Sequence, residues 1–180
     1  MSLTPVMLGL GSNIQRELRL QAGLDALADL LQDMRCSPVF ESLAVGYKGD
    51  NFYNLVVGGY TDLPLTELDR RLKFIEADNG RYAPDRKGLP LDIDVLLYDE
   101  LVGNFHGLLL PRAEILKNAF VLWPLALLAP ALRHPAVGKS FADLWAHASI
   151  DQQLWPVPFQ WRGSELTPAE LVRSHPSQRA

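Results

Sequence analysis

The chain has a single cysteine, Cys36, among 180 residues, so it closes no internal disulfide and suits a reducing compartment. No histidine or acid stands close to Cys36 in sequence to make a thiolate nucleophile of it, and a structural role is expected. A basic excess is also missing. Seventeen Lys and Arg face 21 Asp and Glu, a net charge of −4 with a pI near 5.5. Nucleic-acid surfaces carry a cation surplus, so none is expected here, although a small basic pocket for phosphates stays open. Long apolar runs are absent too. The most apolar window, FVLWPLALLAPAL (120–132), is too short to cross a bilayer and is broken by Pro124 and Pro130. The N-terminal MSLTPVMLGLGSN has no basic residue before its apolar part, unlike a signal peptide. Apolar residues make up 48% and charged residues 21%, ordinary values for a globular protein. The expectation is a soluble, cytoplasmic protein with one domain over residues 1–160 and a polar tail over 161–180, engaging neither nucleic acid nor membrane.

The pattern predicts a definite order of elements. PVMLGLGS (5–12) reads as a buried strand ending in a tight turn, and Ser12 or Asn13 as the cap of a helix over 14–33. Strands follow over 37–45 and 51–61, separated by a loop that holds Gly46 and Gly49. A helix over 64–80 stops at Gly80; a polar loop, RYAPDRKGLP (81–90), leads into the strand LPLDIDVLLY (89–98). This is the ferredoxin-like βαββαβ order: an α+β fold with an antiparallel sheet and helices on one face. A C-terminal extension continues it, with a hairpin over 101–110, helical pieces beyond, and a polar end from about 162 that frays or wraps loosely.

Asp92 and Asp94 are separated only by Ile93 on a strand, so both project from one face. At ~4 Å the repulsion amounts to roughly 4 kcal/mol at an effective dielectric of ~20. A divalent cation with oxygen ligands would offset it, and Mg²⁺ commonly takes one or two carboxylates plus substrate phosphates. The bland alternative is a solvated pair, each acid matched with Arg or Lys. The loop just ahead carries Arg81, Arg86 and Lys87 as candidate catalytic cations, and acids on a strand beside bases on a loop suit phosphoryl transfer. GLGSN (9–13) is either a tight turn or a place for a ligand anion to approach backbone N–H groups. Phe52 and Asn54 share a strand face, an aromatic plane beside an amide, which would suit a flat heterocycle; the alternative is core packing plus a strand-end Asn.

Taken together, GLGSN, FYN (52–54), Glu76 to Arg81, LDIDVLLYD and FVLWPLALLAP resemble the 6-hydroxymethyl-7,8-dihydropterin pyrophosphokinase family of folate biosynthesis, over about residues 5–150. The resemblance implies transfer of pyrophosphate from ATP to the pterin hydroxymethyl group with release of AMP. It also implies a monomer and two Mg²⁺ ions between the triphosphate and Asp92 and Asp94. It assigns the pterin to Ser42, Val45, Phe52, Asn54 and Phe120, and places Glu76 and Arg112 near the nucleotide. The family pattern is broken at four places. Leu89 and Asn118 stand where arginines are expected, Arg86 where a tryptophan is usual, and Arg112 where histidine is common. Arg86, Lys87, Arg112 and Lys117 are the neighbours able to supply the missing charge. The alternative is a divergent relative that binds a pterin-like ligand with altered or lost transfer.

Overall fold

The computed structural model describes residues 2–43 and 50–177. Strand β1 (Thr4–Ser12) is central, flanked by β4 (Phe52–Thr61) and β5 (Asp92–Tyr98), both antiparallel to it. Helix α1 (Arg16–Leu30) follows β1, and α2 (Leu65–Asp78) links β4 to β5. Two short strands, β2 (Gln32–Cys36) and β3 (Val39–Ser42), share the far edge of β4, and β8 (Leu154–Val157) pairs outside β3. The order β5-β1-β4-β3 is that of the ferredoxin-like core, with one strand added at its edge.

The alternation of β1 divides its residues between two cores. Val6, Leu8 and Leu10 face α1 and α2, where Leu20, Leu24, Leu27, Leu68 and Leu72 complete a buried cluster. Met7 points the other way with Val56 and Leu96, against α3 (Glu114–Lys117), α4 (Ala119–Leu128) and α5 (Phe141–Ala146). Helices thus cover both faces of the sheet, not one. The βαββαβ unit keeps its helices on one side, and the C-terminal extension supplies the other layer. The hairpin expected over 101–110 forms as β6 (Gly103–Phe105) and β7 (Leu108–Leu110).

Three local expectations are corrected. The end of the helix predicted over 14–33 is a strand, β2: Leu31 leaves the helix in extended geometry (φ −111, ψ 150), and the chain pairs with β4 through an irregularity where Asp33 takes φ 51. The strand expected over 37–45 starts only at Val39, as β3, because Ser37–Pro38 breaks the chain between β2 and β3, where proline cannot donate to the ladder. Ser37 mends the gap: its N–H donates to Val56 O and its Oγ accepts from Val56 N–H, both at 2.8 Å. The polar stretch from 162 is folded, through β9 (Gln160–Trp161), β10 (Ser164–Glu165) and α6 (Ala169–Ser174). Buried Thr167 accepts from Val39 N–H at 3.0 Å, and Trp161 and Arg162 both donate to Asp25. The loop with Gly46 and Gly49 lies outside the described residues.

Candidate active site

Register lines up the site across three strands. Gly11 of β1 sits between Asp92 on β5 and Asn54 on β4, and Gly9 between Asp94 and Val56. The glycines leave a trough between the acid pair and the amide. A Cβ at Gly11 would come within 2.6 Å of Asn54 Nδ2 and would displace that amide. The GLG of GLGSN therefore makes room for a side chain. Asn54 uses its Nδ2 to donate to Leu10 O at 3.4 Å, while its Oδ1 is buried without a partner among the described residues. An orphaned buried acceptor costs about 1–3 kcal/mol, which a bound N–H donor would recover.

Asn54 borders two cavities. One, of about 350 Å³, is walled by Gly11, Ser42, Leu43, Phe52, Leu89, Asp92, Asn118, Phe120 and Gln152. The other, of about 260 Å³, adds Gly9, Asp94, Arg112 and Glu114 to Asp92, Asn118 and Phe120. Ser42, Phe52, Asn54 and Phe120 thus gather from three elements around one space, and Val45 lies outside the described residues. Behind the wall, Arg16 bonds Glu41 at 3.2 Å and Asn51 O at 3.0 Å, tying together β3 and the approach to Phe52.

Asp92 accepts from Arg81 at 2.9 Å, and Arg112 lies 3.6 Å from Asp94. Burial, then the charge of Asp92 beside it, pushes the Asp94 carboxyl up to about 7 against the pull of Arg112. Glu76 sits under this pair and not in either cavity wall. Its carboxylate accepts from Ile93 N–H at 2.8 Å, from Tyr82 OH at 3.1 Å and from Arg81 at 3.4 Å. Burial holds it above the usual carboxylate range. Among the described residues no three His, Cys, Asp or Glu side chains gather as a metal cluster. A cation at Asp92 and Asp94 would draw its remaining oxygens from substrate and water, a donor set that suits Mg²⁺.

The basic loop forms a separate hollow of about 650 Å³, lined by Arg81, Arg86, Lys87 and Leu89. Arg86 donates to Gly88 O at 2.7 Å, and Lys87 is exposed. Lys117, the other proposed substitute cation, is exposed and lines none of these three spaces. Asn13 anchors the loop's exit by accepting from Leu89 N–H at 2.6 Å and donating its own N–H to Leu89 O at 3.0 Å. This corrects the cap expected at Ser12 or Asn13. Ser12 Oγ donates to Ile14 O, and α1 instead begins after Gln15 at φ 50, without a side-chain cap. Sequence reading missed the roles of Asn13, Tyr82 and Gln152. Asn13 ends the GLGSN motif already noted; Gln152 carried no signal.

Residues 7–130 match the family model described as 7,8-dihydro-6-hydroxymethylpterin-pyrophosphokinase (HPPK). The chain is 36% identical over 146 residues to the 2-amino-4-hydroxy-6-hydroxymethyldihydropteridine pyrophosphokinase of Pseudomonas aeruginosa, covering 78% of this chain and 90% of that protein. It is 30% identical over 168 residues to the folic acid synthesis protein fol1 of Pneumocystis carinii, covering 89% of this chain but only 22% of that longer protein. The crystal structure of Plasmodium falciparum HPPK-DHPS superposes with a TM-score of 0.65 at 15% identity, over 81% of this chain and 43% of that one. That last likeness is one of fold.

Proposed function

The chain belongs to the 7,8-dihydro-6-hydroxymethylpterin-pyrophosphokinase family, whose reaction moves pyrophosphate from ATP to a hydroxymethyldihydropterin in folate synthesis, and we propose that this chain runs it between the trough and the basic loop. The observation that carries the assignment of parts is Asn54. Its Oδ1 is buried without a partner among the described residues, and Asn54 borders a cavity that two phenylalanines also border. Asn54 accepts an N–H of the pterin, Phe52 and Phe120 bracket the ring, and Ser42 closes the wall. The hydroxymethyl group then points along the trough toward Asp92 and Asp94.

The hydroxymethyl oxygen gives up its proton to solvent and forms a bond to the β-phosphorus of ATP as the bond from that phosphorus to the oxygen bridging the α-phosphate breaks, and AMP departs with that oxygen. Asp92 and Asp94 would hold Mg²⁺, which would supply charge neutralisation on the triphosphate. Arg81 and Arg112 are already counter-ions of the two acids, and they can turn to phosphate oxygens when the acids gain another partner. Arg86 and Lys87 extend the positive wall from the loop. Positioning and charge placement are the main contributions a protein makes to such a transfer. Glu76 braces Arg81 and the backbone of Ile93, which keeps the first aspartate in place.

The test is AMP release from ATP with 6-hydroxymethyl-7,8-dihydropterin. AMP that forms only with pterin and Mg²⁺ both present is the expected result. AMP formation independent of the pterin, or none at all from folded protein, would overturn the proposal.

A further inference from the structure

Gln152 lies ahead of β8, remote in sequence from every motif, yet its side chain forms part of the wall of the 350 Å³ cavity. A primary amide has a donor end and an acceptor end. Here one backbone group decides which end faces where. The N–H of Ala119 can only donate, and it bonds Gln152 Oε1 at 2.7 Å. Gln152 is thereby turned with its Nε2 toward Asn118, where it donates to Oδ1 at 3.1 Å. Asn118 must offer its oxygen to Gln152, so its own NH₂ group faces away, with no hydrogen bond among the described residues. The backbone of Asn118 is fixed as well: its N–H donates to Glu114 O, and its C=O accepts from Val121 and Leu122. Asn118 borders both cavities, the one with Phe52 and the one with Asp94.

Resting on the function proposed above, we infer that Gln152 is a positioning residue for the transfer: it locks Asn118 with its amide donors directed at an acceptor oxygen of a substrate where the two cavities meet. Beside two aspartates this polarity matters, since the opposite orientation of Asn118 would add a third oxygen acceptor to the seam. Both substrates carry suitable oxygens, the pterin in its ring carbonyl and hydroxymethyl and the nucleotide in its phosphates, and separate titrations tell the two substrates apart.

Gln152→Glu keeps the size and the acceptor for Ala119 N–H, but it removes the donor that holds Asn118. The experiment is calorimetric titration of wild type, Gln152→Glu, Asn118→Ala and the double variant. Each is titrated with 6-hydroxymethyl-7,8-dihydropterin alone and with α,β-methylene-ATP plus Mg²⁺ alone. Contacting residues couple, so Gln152→Glu should weaken one ligand by about tenfold, and should weaken it no further when Asn118 is already alanine. Gln152→Leu, which removes both bonds without adding charge, should show the same dependence on Asn118, and covers the case in which the glutamate fails to fold. Unchanged affinity for both ligands, or losses that multiply in the double variant, would overturn the inference while leaving the proposed function standing. Wild type binding neither ligand would overturn both.

Discussion

The two halves of the site are built in different ways. The proposed pterin side is made mostly of strands: Asn54 pairs with Gly11 in the unbroken register of β4 on β1, Ser42 and Phe52 pair with each other across β3 and β4, and Gly11 leaves room for the amide it faces. The proposed phosphate side is a loop from 81 to 90, held at its exit by Asn13 and at its start by Arg81, with Arg86 and Lys87 between. On the proposed function, recognition of the ring is set by backbone pairing before any ligand arrives. Phosphate binding depends on charges that already have partners and must exchange them.

The largest effect should come from the acids where the halves meet. Asp94→Ala is expected to lower transfer by at least 10² to 10³, on the order of losing a key electrostatic group, with the melting temperature unchanged or raised. The sign of the stability effect follows from linkage. The Asp94 carboxyl is raised from 3.8 to about 7, so between those values the native state holds a proton the unfolded state has lost. Stability from this group therefore falls as pH rises from about 4 to about 7. With 42% of the side chain exposed, solvent damps the effect. Melting curves of wild type and Asp94→Ala across that range, without metal, should diverge in favour of the variant toward neutral pH. Added Mg²⁺ should narrow the gap by stabilising wild type alone.

Asn54→Leu comes next. It removes an unsatisfied buried acceptor, worth about 1–3 kcal/mol, so the variant should melt no lower than wild type while its pterin affinity falls by roughly 10- to 100-fold. A nearly unchanged pterin affinity would show that the ring is not read there. Gly11→Ala should act through the same residue: a Cβ 2.6 Å from Asn54 Nδ2 displaces the amide. An overpacking cost of about 1–3 kcal/mol and a pterin loss of about tenfold are expected, by melting and titration. Lys87→Ala is the mildest. An exposed loop cation contributes about 0–1 kcal/mol, so the ATP KM should rise only a few-fold, and less at high salt.

The same contrast explains what the sequence revealed. Period-two alternation exposed β1, β4 and β5, and with them the shared face of Asp92 and Asp94, because that pattern is local. Phe52 and Asn54 were legible for the same reason. The split at Ser37–Pro38 was not, since it depends on a hydroxyl completing the ladder of another strand. Nor was the clamp from Asn13 to Leu89, 76 residues apart, which a local reading took for a helix cap. The end of the chain looked polar enough to fray; Thr167, Trp161 and Arg162 are ordered by partners more than 100 positions away. Gln152 is part of the wall only because β8 returns to pair with β3. Glu76 matched a nucleotide-side position by motif, but its burial and three hydrogen-bond donors make it a brace.

The most direct test of this account is titration of the protein with 6-hydroxymethyl-7,8-dihydropterin in EDTA and without nucleotide. The account predicts saturable binding at one site under these conditions, lost in Asn54→Leu and retained in Asp94→Ala. Binding that appears only after Mg²⁺ and a nucleotide are added would contradict it, because the ring site would then be assembled by the phosphate side instead of standing ready beside it.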